Sequence, residues 1–393
     1  MSMGSDKLIT NWRIVVVAIA LSSASSGATL IAWPLLTSTG EQMSLGGALA
    51  FNGLYVLSSL SYAFGALAAD RFAGTATTRG IALPALGLVA ATMLLSAVAQ
   101  GVPLLGLTAA LALRFAAGLL IMLAAFTVIA RFDANRPVAL ALMLGFGAGS
   151  APALSSYANL EMASGGMGVS PMAGVYLIGG CALVVAFLAP SRAAATNAML
   201  PFSPVGPSPI AYRQNMANAP SLLFACIAIS LALWFGYRAA SSDSQVTAVL
   251  DASLWLVALG VGISCKALGE LSVVRFMILA ITTGLALGLD APTGPGPLGQ
   301  FLAPAALMLA GVVSDFIALL LPSRYGQPTE YPRRAGLLMA AQPLTMAMLG
   351  LASVTGVASY WTGAEGVIAI LGAGAAFLAI ARLPRPRSAQ RAW

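Results

Sequence analysis

The sequence predicts an all-α integral membrane protein with twelve transmembrane helices in two six-helix bundles. Three observations predict it: too little charge for a water-soluble surface, a succession of apolar runs long enough to cross a bilayer, and basic residues between every second pair of runs. Of 393 residues, 59% are hydrophobic and 8% charged, where a soluble domain carries roughly a quarter charged residues. Mean hydropathy is +0.90. A helix needs about 20 apolar residues to cross about 30 Å of hydrocarbon, so this chain has room for many crossings and little else.

The first run, 14–36, follows Lys7 and Arg13 as a signal peptide would, with small residues at Ser25, Ser26, Gly27 and Ala28. It is too long for a signal core and more spans follow, so it is expected to stay as helix 1. Its stripe of Ser22, Ser23, Ser25, Ser26 and Thr29 either lines a solute path or bonds to neighbouring helices. Runs two and three, 47–69 and 81–99, are joined through Asp70, Arg71 and Arg79. The fourth, 103–130, holds Arg114 near mid-membrane. Inserting an arginine there costs roughly 2.5–3.5 kcal/mol on translocon scales, so it is expected to face a cavity or a partner, or else to bond backbone carbonyls. The fifth, 137–160, contains Gly145, Gly147, Gly149 and Pro152; small residues let backbones touch and proline permits a bend. The sixth is 171–190.

A polar, proline-rich stretch follows, then runs at 220–240, 246–265, 272–290, 300–321, 335–358 and 362–382. The expected organisation is therefore a bundle over 1–190, a cytoplasmic linker over 191–219 and a second bundle over 220–393. Trp234 lies inside run seven, placed to stack on a solute or to pack against lipid and helices. Lys266, Glu270 and Arg275 mark the thin separation of runs eight and nine. Asp315, near the end of run ten, either carries a proton or latches a gate by pairing with Lys266, Arg275 or Arg324. In run eleven Gln342 stands beside Pro343, where a proline frees carbonyls that can line a cavity.

Loop charge fixes the sides. With a cytoplasmic N-terminus, the inner segments hold Lys7, Arg13, Arg71, Arg79, Arg131, Arg136, Arg192, Arg213, Lys266, Arg275, Arg324, Arg333, Arg334 and the arginines after 381; Arg238 alone falls outside. That is the positive-inside pattern, and it puts both termini in the cytoplasm. The net charge of +7 is scattered rather than gathered in a patch, which argues against nucleic acid. Histidine is absent, and Cys181, Cys226 and Cys265 stand alone in apolar runs, so neither a metal site nor a disulfide framework is expected.

Six helices, a cytoplasmic linker and six more helices resemble the major facilitator superfamily of secondary transporters. Its signature between helices 2 and 3, close to G-x-L-A-D-R-x-G-R-R, resembles Gly65-Ala66-Leu67-Ala68-Ala69-Asp70-Arg71-Phe72-Ala73-Gly74 with Arg79 beyond, although one alanine is extra and the twin basic residues are missing. The resemblance implies a cytoplasmic gate formed by Gly65, Asp70, Arg71 and Arg79. Arg114 and Gly118 match the spacing of the family's helix 4 motif, with Ala117 where a glutamine is usual; the resemblance implies a cavity arginine associated with proton-coupled exchange or anion binding. Gly145, Gly149 and Pro152 are similar to the glycine- and proline-rich helix 5 of its antiporters.

The function expected is secondary active transport of a small organic solute by alternating access, proton-coupled, with export favoured. Its candidate site is Arg114, Ser22, Ser26, Trp234, Gln342 and Asp315. The alternative is a non-transporting relative that serves as an assembly or pigment-handling factor for membrane complexes. There is no phosphate-binding GxxxxGK[ST] loop and no histidine or buried lysine for hydrolysis, so no enzyme activity, cofactor or metal is expected. The expected partners are a solute, protons and membrane lipid, with the protein a monomer in a bacterial inner membrane.

Overall fold

The computed structural model describes residues 3–42, 47–73, 78–98, 102–129, 131–132, 135–147, 171–189, 209–240, 244–289, 297–325, 330–355, 361 and 363–384. Gly149, Pro152 and linker residues 191–208 lie outside them. The helices are α1 (Met3–Gln42), α2 (Gly47–Ala73), α3 (Thr78–Val98), α4 (Pro103–Ile129), α5 (Arg136–Gly147) and α6 (Pro171–Leu188). There follow α7 (Pro209–Ala239), α8 (Ser244–Leu268), α9 (Glu270–Leu289), α10 (Pro297–Leu319), α11 (Tyr331–Val354) and α12 (Glu365–Ala381). A single turn, Pro322–Tyr325, follows α10.

Among the described residues, six segments are long and apolar enough to span a membrane, within α1, α4, α7, α9, α10 and α11. The chain is an integral membrane protein. Two helices outrun the apolar runs that announced them: α1 has 40 residues, and α7 begins at Pro209, so the stretch assigned to the linker is helical from there. Hydropathy marks the part of a helix inside hydrocarbon, whereas backbone hydrogen bonding continues through polar residues outside it. Proline at the first helical position forfeits no bond, and Pro220 forfeits one.

The helices pack in two groups. In the first, α1 lies on α4 and α6, while α4 also takes α2 and α3; in the second, α7 takes α10, α11 and α12, and α9 takes α8, α10 and α12. Hydroxyls that would be costly in hydrocarbon are spent on backbone carbonyls. Ser25 Oγ donates to the Ala117 carbonyl at 2.8 Å, Ser61 Oγ to that of Leu111 at 2.7 Å, and the Tyr331 hydroxyl to that of Leu319 at 2.9 Å.

Several basic residues meet at one end of the molecule. There Arg275 donates to the carbonyls of Ile380, Ala381 and Leu383 at 3.3, 2.9 and 2.7 Å, which closes the C-terminus of α12. Arg324 binds both carboxylate oxygens of Glu270, the shortest contact being 2.8 Å. Arg334 pairs with Glu330 at 2.6 Å. The α8–α9 junction is one residue, Gly269 with φ +89°, a conformation that glycine adopts without penalty. The two groups meet here and again farther along α2 and α11, where Gly350 backs onto the Asn52 carbonyl. A Cβ on Gly262 of α8 would stand 2.7 Å from the Pro137 carbonyl oxygen of α5, Phe126 of α4 packs edge-on to Tyr331 of α11 at 5.9 Å, and Gly336 of α11 backs onto the Ala66 carbonyl of α2.

Candidate central cavity

Where the groups face each other, a cavity of about 590 Å³ is lined from both sides: Ser22, Ser26 and Thr29 of α1, Tyr55, Ser59 and Tyr62 of α2, and Arg114 of α4 with Leu144 of α5. Leu254 of α8, Asp315 of α10, and Met339, Gln342, Pro343 and Met346 of α11 line it from the second group. Arg114 and Asp315 are the two charged residues in this lining.

The crossing of α2 and α4 positions the arginine. A Cβ on Gly65 would collide with the Phe115 carbonyl oxygen, and one on Gly118 with the Tyr62 carbonyl oxygen. Only glycine at both positions lets the backbones come this close. Gly65, assigned by resemblance to the gate, and Gly118, assigned to helix 4, are thus two halves of one contact. The contact puts the Tyr62 ring beneath Arg114, whose guanidinium carbon lies 4.9 Å from the ring centroid, a cation–π geometry. Arg114 Nη1 donates to Thr29 Oγ1 at 3.2 Å. Its Nε is buried with no hydrogen-bond partner, and no carboxylate among the described residues pairs with it.

Asp315 follows the buried Ser314 on α10 and faces the cavity. Two of the arginines offered by the sequence as its latch partners are engaged elsewhere, Arg275 on the carbonyls ending α12 and Arg324 on Glu270. On α11, Pro343 lacks the amide that would bond the Met339 carbonyl, and both residues line the cavity beside Gln342.

The structure therefore brings Ser22, Ser26, Arg114, Asp315 and Gln342 to one place. Trp234 stands behind the wall, its ring 5.6 Å from that of Tyr55. Asp70, Arg71 and Arg79 sit at the basic end, at the close of α2 and the opening of α3. Gly145 backs onto α8, where a Cβ would stand 3.0 Å from the Trp255 Cα. Sequence reasoning did not single out Tyr55, Ser59 and Tyr62, yet their spacing of four and three residues puts three polar groups on one face of an apolar helix.

No family model and no curated relative matches the sequence. Solved structures do match. The Escherichia coli fucose:proton symporter FucP aligns with a TM-score of 0.65 over 96% of this chain and 99% of its own, at 13% identity. The human organic anion transporter MFSD10 aligns at 0.63 over 95% and 99%, with 17% identity. A second FucP structure, in the outward conformation, aligns at 0.59 with 13% identity, over 96% of this chain and 99% of that one. The fold is that of the major facilitator superfamily. Alignment over nearly the full length of both chains extends the likeness well beyond the short motifs around Asp70 and Arg114. In this major facilitator fold the Arg114 guanidinium is stacked on an aromatic ring and left with an unsatisfied Nε.

Proposed function

We propose that the chain is a secondary transporter, rather than an enzyme, that moves a small organic acid by alternating access, with the two helix groups rocking about the cavity. The observation that carries this reading is Arg114. An intramembrane guanidinium with a buried, unpartnered Nε and no carboxylate paired with it among the described residues is completed by an anion. The acid head binds Arg114, Ser26 and Gln342 supply hydrogen bonds, and Leu144, Leu254, Met339 and Met346 receive the apolar body.

Asp315 is the proton carrier, since it faces the same cavity from the other group and its most obvious arginine partners are committed elsewhere. The basic end faces the cytoplasm by the positive-inside rule, so both termini are cytoplasmic, and the units are 1–190 and 220–393. Export is the direction favoured by the glycines of α5.

The test is transport by the purified protein in proteoliposomes under pH gradients of either sense, with a panel of organic acids, neutral sugars and organic cations. Gradient-driven accumulation of an organic acid is expected, falling at least tenfold in Arg114→Ala. Asp315→Asn should lose accumulation but keep solute exchange. Accumulation of only neutral or cationic compounds, or an Arg114→Ala protein as active as the parent, would contradict the reading.

A further inference from the structure

The cavity is long in the direction of the helices. On α4 it is lined by both Arg114 and Ile121, and on α11 by both Met339 and Met346. Each pair spans about two helical turns, on the order of 10 Å. The charged residues stand toward opposite ends of this length. Phe126 of α4 packs on the Tyr331 ring, and the Tyr331 hydroxyl bonds the Leu319 carbonyl of α10, so Phe126 and Leu319 lie at similar depth near the basic end. Arg114 comes 12 residues before Phe126, and Asp315 comes four before Leu319. That difference sets the two backbones about two turns apart in depth, again on the order of 10 Å. Ile121, five residues before Phe126, and Met339, eight residues after Tyr331, fall between these depths and give the cavity an apolar wall there.

Two opposite charges thus line one cavity from different helix groups, with apolar surface between them. A solute bearing a carboxylate alone completes Arg114, but it leaves Asp315 a bare charge in the membrane interior unless a proton neutralises it. A solute that also carries a cation at its far end completes both, and the filled cavity is neutral.

We propose that the solute is an elongated zwitterion, with its carboxylate on Arg114, an ammonium on Asp315 and an apolar chain against Ile121 and Met339. This rests on the reading of Arg114 as the residue that binds the acid head. The ammonium takes the place of the proton on Asp315, so solute and proton exclude each other at that carboxylate, and the protein exchanges one for the other.

The test is binding to the full-length protein in detergent, with dissociation constants taken from the rise in melting temperature that each ligand produces. The probes are α,ω-amino acids from glycine to aminooctanoate, with the straight-chain acid and the straight-chain amine of each length. An optimum among the longer amino acids is expected, bound at least tenfold more tightly than glycine and than the acid and amine of the same length. Asp315→Asn should weaken that amino acid to the level of its matched acid, and Arg114→Gln to the level of its matched amine. Should Asp315→Asn fail to fold, Asp315→Glu, whose carboxylate reaches farther into the cavity, should move the optimum to a shorter chain. The zwitterion is overturned by an acid that binds as well as its amino acid, by a preference for the amino acid that survives Asp315→Asn, or by an optimum that Asp315→Glu leaves in place. If the acid then still requires Arg114, the organic-acid reading stands without it. Binding of amines alone, or of no probe at all, overturns both.

Discussion

Arg114 is held by Thr29 and by the Tyr62 ring, and its Nε is left open. That combination depends on a planar guanidinium, which stacks and forks in ways a lysine ammonium does not. Arg114→Lys keeps the charge but gives up the stacking and one charge-assisted hydrogen bond, worth about 1.5–3 kcal/mol. Its KM for the transported acid is expected to rise about tenfold or more while the maximal rate changes less, as initial-rate uptake would show; an unchanged KM would place the solute elsewhere. At this scale, the residues legible in the sequence were those whose chemistry clashes with an apolar run. Arg114, Asp315, Gln342 and the serines of α1 declare themselves by polarity alone. Tyr55 and Tyr62 do not, because a tyrosine in a membrane helix has an apolar ring that also suits packing or lipid. Which face it presents is decided by the partner helix.

The helices were legible through hydropathy, which located each crossing but not each helix end. The polar first turns of α7 and the length of α1 escaped because they lie beyond the hydrocarbon. Glycines were legible as small residues, but their pairings were not: nothing local tells that Gly65 and Gly118 belong to one crossing, since their partners are distant in sequence. The crossing makes a sharp prediction. Gly118→Leu forces a side chain into the Tyr62 carbonyl, a backbone atom that cannot give way, and overpacking of this kind costs roughly 1–3 kcal/mol. A lowering of the melting temperature by several degrees is expected in detergent. Gly179→Ala on α6, where an added Cβ meets nothing within 4 Å, should be neutral or slightly stabilising, by up to about 1 kcal/mol. Equal behaviour of the two variants would mean that the α2–α4 contact is not close.

For the whole molecule, the helix groups touch at the basic end, by Gly262 against Pro137, Phe126 against Tyr331 and Gly336 against Ala66, and again farther along the same helices, by Gly350 against Asn52 and Gly145 against Trp255. Arg275, Arg324 and Arg334 make their contacts at the basic end. The architecture was legible because charge and hydropathy both act along the chain, whereas the pairing of the two groups was not, because it depends on contacts between distant helices. Alternating access requires that the cavity open to one side at a time. Ser26 lines it, and Cys181, Cys226 and Cys265 are buried, so a Ser26→Cys thiol in a chain with those three replaced reports access. The decisive measurement is its labelling by a membrane-impermeant maleimide in right-side-out and inside-out vesicles, with and without Gly262→Leu, which wedges the basic end apart. The account predicts labelling from a single face in the otherwise unaltered protein, and a gain of labelling from the basic face with Gly262→Leu. Labelling from neither face in both proteins, or equally from both faces in the otherwise unaltered one, would contradict it.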